Sequence, residues 1–263
     1  MNGWHPGELD IRQKLAYDLD PTTHHYYTYI RGDLDPDHAR FHTGRLPFLP
    51  VTTLDGGGRP WGSILAAEDG KPGDYGQGYI AHPRYTVLTI NTKVWVGDPL
   101  IENKKAFSFD PSTGTAKENG EDMLIAGIGI EFTTRRRNKF AGKVTKFNVT
   151  DDNVDMEIHV NESIGNCPKY INVRSLDPHP NTSPRIKHRV LNLPPKERLP
   201  EDVISFIQDA DTVFLGTTYT ARDADKMMYP SHVGMNQRGG RPGFVRVKPS
   251  DGRTVVVPDF SGM

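Results

Sequence analysis

Cysteine, long apolar runs and an excess of charge of one sign are all missing from this chain of 263 residues. Its one cysteine, Cys167, cannot form a disulfide within the chain, so a reducing, cytoplasmic setting is expected. No run approaches the roughly 18 apolar residues of a membrane-spanning helix, and the N-terminus lacks the apolar stretch of a secretory signal. With 32 basic and 33 acidic side chains, the net charge of -1 gives no electrostatic case for nucleic acid. We therefore expect neither a membrane nor nucleic acid as a partner.

The residue patterns of several catalytic classes are missing as well. The ten histidines are scattered, and with a single cysteine no metal-ligand spacing occurs, so no metal is expected. No G-x-S-x-G elbow marks a serine nucleophile, and neither a Walker loop nor a G-x-G-x-x-G motif occurs. Catalytic residues therefore stay unassigned at this stage.

Glycine and proline, by contrast, are abundant, with 26 and 21 residues. Together they make up about 18% of the chain, against about 12% in average proteins, which favours short strands joined by turns. The class is thus mainly β, or α+β. Short helices are predicted over 8–17 and 200–210, while 18–44 has no clean period. Alternating or fully apolar runs predict strands over 46–54, 60–68, 85–96, 123–132, 140–149 and 154–160.

A loose internal repeat follows a proline-rich segment over 175–200. Three pairs of short sequence markers recur at offsets of 166, 170 and 168 residues. A near-constant offset indicates a tandem repeat. The matched residues are Phe48-Leu49 with Phe214-Leu215, Pro60 with Pro230, and Thr86-Val87 with Thr254-Val255.

Several features have both a structural and a functional interpretation, and both stay open. Cys167 is either a small buried residue or a reactive thiol. The segment GMNQRGGRPG over 234–243 is either a solvated turn within a loop or an anion-binding loop. The three arginines over 135–137 mark a solvated strand end, unless one of them turns inward toward an anionic ligand. Trp61 and Trp95 either pack in the core or stack on a flat ligand.

Eight motifs, in order, resemble the pyridoxamine 5'-phosphate oxidase-like, FMN-binding split-barrel family, and in particular its predicted flavin-nucleotide-binding branch with tandem barrels. The resemblance covers about 220 of the 263 residues, and the order and spacing of the motifs make it specific. The motifs are GWHPGE (3–8), FLPVTTLDGGGRPWGSILA (48–66), VWVGDPL (94–100), GIGIEFTTRRRNKFAGKV (127–144), GNCPKYINVR (165–174), DTVFLGTT (211–218), SHVGMNQRGGRPGFVRV (231–247) and GRTVVVPDFSG (252–262).

The resemblance implies an antiparallel six-stranded FMN-binding split barrel with a second, truncated copy. The implied division is a complete barrel with an N-terminal helix or arm over 1–175, a linker over 176–200, and the opening half of a second copy over 201–263. FMN is expected at the interface of a homodimer or of a tandem pseudo-dimer.

The resemblance also implies which residues hold the cofactor. Strand 61–65 matches the flavin-facing strand, and Lys104 and Lys105 follow where a basic phosphate ligand lies in the family. In the second copy, residues match the signatures S-H-x-G-G and P-D-Y-S-G-N. The implied cofactor-binding residues are Trp61, Gly62, Ser63, Ile64, Asp98, Lys104, Lys105, Ser231, His232, Arg238, Gly239 and Gly240, with Pro99, Asp259, Ser261 and Gly262 matching as well.

Two departures from the family pattern bear on function. The first signature carries an insertion, which places His232 and Arg238 six residues apart. The second pattern continues in the family beyond the end of this sequence, so the second flavin site is expected to be incomplete. The predicted function is an FMN-dependent oxidoreductase that acts on a small molecule, with NAD(P)H or that substrate as reaction partner. The alternatives are a non-catalytic flavin- or haem-binding module and a degenerate copy that binds nothing.

Overall fold

The structure is a computed structural model that describes residues 3–67, 78–179, 182–258 and 260. Within these residues the chain is mainly antiparallel β-sheet with few helices, which confirms the predicted class. No helix in this part of the chain has both the length and the hydropathy to cross a membrane. The α-helices are α1 (Pro6–Lys14), α2 (Pro36–Gly44), α3 (Pro99–Lys104) and α4 (Glu201–Asp209), and 3-10 turns form at Tyr17–Leu19, Pro21–Thr23 and Tyr26–Tyr29.

Seven antiparallel strands form the main sheet, in the order β2-β1-β5-β6-β7-β4-β3. The sheet curves back on itself, so that β4 meets β2: Thr92 Oγ1 donates a 2.7 Å hydrogen bond to the carbonyl of Ala66 at the end of β2. This curvature is compatible with a split barrel, and the count of six barrel strands stays a prediction. The strands are β1 (Phe48–Leu54), β2 (Pro60–Ala66), β3 (Ile80–Arg84), β4 (Val87–Lys93), β5 (Leu124–Glu131), β6 (Arg136–Thr150) and β7 (Asn153–Asn166).

The turn between β1 and β2 is formed by the sequence Asp-Gly-Gly-Gly-Arg, as predicted. Asp55 Oδ1 accepts from the backbone N–H of Gly57 at 2.9 Å and of Arg59 at 3.0 Å. Gly58 has a φ of +74°, a conformation that a residue with a Cβ rarely adopts. The hairpin prediction is therefore confirmed, with Val51 opposite Ser63.

The sheet has an apolar cluster on each face, and β5 contributes to both. Its inner face packs in the main core, and its outer face packs in a second, smaller cluster. A strand buried on both sides is what its uninterrupted apolar sequence predicted. The inner core includes Leu49, Val51, Leu88, Ile90, Ile125, Phe140 and Ile158, and the outer cluster includes Ala126, Ile128, Ile130, Val233 and Met235.

The C-terminal part of the chain forms a hairpin of β8 (Thr212–Tyr219) and β9 (His232–Gly239), followed by the short pair β10 (Arg246–Val247) and β11 (Val255–Val256). The hairpin lies on the outer face of the main sheet, against β1, β2, β5 and β6. Thr52 Oγ1 donates to the carbonyl of Gly234 at 3.1 Å across this interface. The rings of Phe48 and Phe214, which the repeat had matched, meet there at 6.3 Å.

Several elements were not predicted, namely α2, α3, β3, β9 and the 3-10 turns. The glycine-rich segment over 221–243 was expected to be a loop, but β9 forms within it, because Val233, Met235 and Gln237 alternate into the interface with the main sheet. Helix α2 lies in the stretch without a clean period. It begins at Asp35, whose side chain accepts from the N–H of Asp37 at 2.8 Å, with Pro36 in the first turn.

Candidate functional site

Two cations of β6 project from the outer face of the main sheet toward β9. Arg137 and Lys139 lie opposite Ile130 and Ile128 of β5, whereas the intervening Asn138 points to the inner face. Arg137 Nη1 donates to Gln237 Oε1 at 2.9 Å, and Lys139 Nζ donates to Asn236 Oδ1. Side chains of β6 are thus held at the end of β9.

Arg238 of β9 completes what we call the cationic cluster: Arg137, Lys139 and Arg238. Burial, together with the charges of Arg137 and Arg238, lowers the pKa of Lys139 to about 8. Burial also lowers the pKa of Arg137, an effect that Cys167 opposes and Arg238 reinforces. Neither Lys139 nor Arg238 forms an ion pair with a carboxylate in the described part of the chain. The cluster therefore concentrates positive charge at a partly buried position.

Tyr170 borders the cluster through its backbone, and its ring contacts that of Phe260. Gln237 Nε2 donates to the carbonyl of Tyr170 at 2.9 Å, so one side chain links Arg137 to the backbone of Tyr170. The rings of Tyr170 and Phe260 lie 5.1 Å apart and are 38% and 40% exposed. Gly239 lies directly against the carbonyl of Tyr170, where a Cβ would collide with the backbone. Tyr170 thus connects the cluster to a pair of partly exposed aromatic rings.

The predicted residues of β2 alternate between its two faces and do not form one surface. Ser63 is buried, and its Oγ donates to Asp98 Oδ1 at 2.7 Å and accepts from the N–H of Leu100 at 3.0 Å. Trp61 donates its indole N–H to Asp55 Oδ2 at 3.0 Å. Gly62 faces Met235 of the hairpin, and Ile64 is 49% exposed.

Asp98 and Pro99 begin α3, and the two predicted lysines end it. Asp98 Oδ1 accepts from the N–H of Leu100 at 2.8 Å, and burial raises the pKa of this carboxyl group. Lys105 pairs with Glu102 at 2.8 Å, and Lys104 Nζ lies 5.6 Å from the ring centre of Phe109. The structure thus places a partly buried carboxylate beside Ser63 and both lysines at the opposite end of the helix.

The residues that matched the second-copy signature lie at the two ends of β9. Ser231 Oγ accepts from the N–H of Ala221 at 2.9 Å, and His232 contacts Tyr219. Arg238 lies six residues after His232, about 20 Å along a strand, and Gly239 follows it. The N–H of Gly240 donates to Asp211 at 2.9 Å. Asp259, Ser261 and Gly262 lie outside the described residues.

A groove of about 1050 Å³ lies along the outer face of β2 and β4. This groove is separate from the cationic cluster. Its cations come from other residues, and each of them is paired with a carboxylate. Arg174 pairs with Asp211, Lys93 with Asp152 at 2.7 Å, and Arg45 with Glu131 at 3.6 Å. The apolar walls include Phe48, Ile64, Trp95, Phe132 and Leu176. Trp95 therefore lines an open groove, where a flat ligand could stack.

Sequence reasoning missed Lys139 and the two amides that hold the cluster, Asn236 and Gln237. One signal was available: Arg137 and Lys139 are two residues apart in a strand, so they share a face. The described residues contain no group of three or more His, Cys, Asp or Glu side chains placed to hold a metal ion.

No protein-family model matches the chain, and no curated protein matches it. Among solved structures, an F420 reductase is similar to 49% of this chain and 98% of its own length, with 12% sequence identity and a TM-score of 0.30. A likeness of this extent identifies neither a family nor an activity.

Proposed function

We propose that the chain binds FMN at the cationic cluster and is a flavin-dependent oxidoreductase that acts on a small molecule. The observation that carries this proposal is the convergence of Arg137, Lys139 and Arg238 from two separate elements, with Lys139 and Arg238 outside any ion pair of the described residues. Partly buried cations are stabilised by an anion, and the sequence resemblance suggests which anion.

The donors of the cluster fit a phosphate ester. A phosphate carries a charge of about -1.5 to -2 at neutral pH and offers three acceptor oxygens. Arg137 and Arg238 supply planar guanidinium groups, which bind phosphate in a bidentate manner, and Lys139 supplies a point charge. Asp98, by contrast, presents a partly buried carboxylate next to Ser63, so this part of β2 is the less favourable place for a phosphate.

The rings beside the cluster fit the flat part of the same ligand. Tyr170 and Phe260 are partly exposed and in contact with each other, and an aromatic ring favours offset stacking on another. FMN, when bound, supplies the hydride and electron chemistry of the reaction. The chain binds its phosphate, orients its ring and, through Lys139, holds a proton at Nζ. The packing of β8 and β9 on the main sheet supports the further proposal that this hairpin opens a second barrel copy in a tandem pseudo-dimer.

The visible spectrum tests the proposal in two steps. The protein is mixed with FMN, desalted and measured, and the retained flavin is then exposed to NADPH or NADH without oxygen. Retained flavin bands that are bleached by the nicotinamide are the expected result. Retained bands that no donor bleaches would indicate a non-catalytic binding module, and a colourless protein would contradict flavin binding.

Lys139 gives the affinity for FMN a predicted pH dependence. Its pKa is about 8 in the free protein, and a bound phosphate raises it, so binding is strongest below pH 8 and weakens as the pH rises through that value. Between pH 7 and pH 9 the loss is about tenfold, since each pH unit above the free pKa is worth roughly 1.4 kcal/mol. Flavin fluorescence titrations at several pH values measure this. The variant Lys139→Arg keeps its charge and should show a flat profile; an equal loss in that variant would assign the effect to another group.

A further inference from the structure

A second cavity, of about 750 Å³, shares no lining residue with the groove or with the cationic cluster. Its floor is formed by Trp61, by the turn over 55–57 and by α3. Its other walls are residues 186–191 of the proline-rich segment and the first two turns of α4. The volume lies within the range of about 300–1000 Å³ that small-molecule sites occupy.

Three contacts hold the proline-rich segment over this cavity. Ile186 packs directly against Gly97, which has a φ of +85° and no room for a side chain. Arg189 pairs with Glu102 of α3 at 3.3 Å. Arg59 Nη1 donates to the carbonyl of Leu191 at 3.5 Å. The part of the predicted linker over 186–191 is therefore held in place as a wall of the cavity.

Two aromatic rings give the cavity its apolar character. Trp61 is held in one orientation by the hydrogen bond from its indole N–H to Asp55. Phe206 of α4 lines the same cavity and is 79% exposed, although the neighbouring Ile204 is buried in the fold. An exposed phenylalanine beside a fixed tryptophan favours a ligand with a flat apolar ring.

The charges at the rim favour a negatively charged ligand. Asp55 accepts hydrogen bonds from Arg59 and Trp61, and Glu102 pairs with Lys105 and Arg189, so these acids already have partners. Asp202 lies in the first turn of α4, where the helix dipole favours it, and accepts from the N–H of Val203. On the wall formed by residues 186–191, Arg189 pairs with Glu102, whereas Lys187 and His188 have no ion-pair partner among the described residues.

We propose that this cavity is a second small-molecule site, which binds a planar aromatic carboxylate with its ring between Trp61 and Phe206 and its acid group at Lys187 and His188. The site is independent of the FMN proposal, because none of its residues belongs to the cationic cluster.

The three tryptophans of the chain provide an internally controlled test. Protein labelled with 5-fluorotryptophan is titrated with 2-naphthoate, and with 2-naphthamide as the neutral analogue, while the fluorine resonances of Trp4, Trp61 and Trp95 are followed. Trp61→Phe assigns the cavity resonance, and Trp95 reports on the groove. We expect 2-naphthoate to shift the Trp61 resonance in a saturable way, with Trp4 and Trp95 unmoved, and to bind about tenfold more tightly than 2-naphthamide.

Substitutions separate the ring contact from the charge contact. Lys187→Gln combined with His188→Gln should reduce the affinity for 2-naphthoate about tenfold and leave 2-naphthamide unchanged. Lys196→Gln, which removes a charge from the same proline-rich segment outside the cavity, should change neither. The proposal is overturned if Trp95 or Trp4 responds instead of Trp61, if the two probes bind equally, or if the double substitution has no more effect than Lys196→Gln. None of these outcomes depends on whether FMN binds.

Discussion

Replacing Arg137 and Arg238 together by glutamine is expected to weaken FMN binding by about 100-fold or more. Each charge-assisted hydrogen bond to a phosphate contributes roughly 1.5–3 kcal/mol, and every 1.4 kcal/mol is a factor of ten in affinity. Glutamine keeps a polar side chain of similar length, and it is compatible with the strand positions of both arginines. The dissociation constant is measured by the quenching of flavin fluorescence at pH 7 and fixed ionic strength.

Two control variants make this result specific. Lys143→Gln removes a cation from the same strand, at an exposed position where the lysine pairs with Asp122 at 3.2 Å, so FMN affinity should not change. Lys104→Gln with Lys105→Gln removes the two lysines that the family resemblance implied, and it should also have little effect if the phosphate lies at the cationic cluster. A large loss in that variant, with none in the arginine variant, would return the phosphate to α3.

The free energy of unfolding is expected to fall by about 2 kcal/mol between pH 7 and pH 5 because of His42 alone. This histidine is 1% exposed, and burial lowers its pKa from 6.5 to about 3, with His38 and Arg136 contributing. In the unfolded chain it takes up a proton near pH 6.5, whereas in the folded protein it stays neutral. Acid therefore favours the unfolded state throughout that interval.

The variant His42→Leu isolates this contribution. Both ring nitrogens of His42 are buried without a hydrogen-bond partner in the described residues, so leucine loses no hydrogen bond seen there. Urea denaturation at pH 7 and pH 5 should show a drop in stability for the wild type that is about 2 kcal/mol larger than for the variant. Equal drops in the two proteins would mean that another group titrates, with His38 the first to examine because burial lowers its pKa as well.

The sequence predicted those elements whose conformation is determined by residues close to one another along the chain. The Asp55 turn is fixed by glycines and one carboxylate, and β5 by an uninterrupted apolar run. Strand β9 was missed because its glycines and arginine resemble a turn, and only its packing on β5 shows which residues alternate inward. Helix α2 was missed because His38 and His42 interrupt its apolar face.

The residues of the cationic cluster also divide into those that the sequence predicted and one that depends on tertiary packing. Arg238 was implied by a family motif. For the three arginines over 135–137, the sequence left open whether one of them turns inward, and Arg137 does so to contact Gln237. The role of Lys139 depends on strand β6 lying against β9, about 100 residues later in the chain. No spacing within the sequence encodes that contact, so the composition of the cluster follows only from the tertiary structure.

The most direct test of the phosphate assignment compares FMN with riboflavin, which has the same ring and ribityl chain but no phosphate. If the cationic cluster holds the phosphate, the wild-type protein should bind FMN at least about 100-fold more tightly than riboflavin at pH 7. Added inorganic phosphate should then compete with FMN. Equal affinities for the two flavins, or no binding of either, would contradict the account.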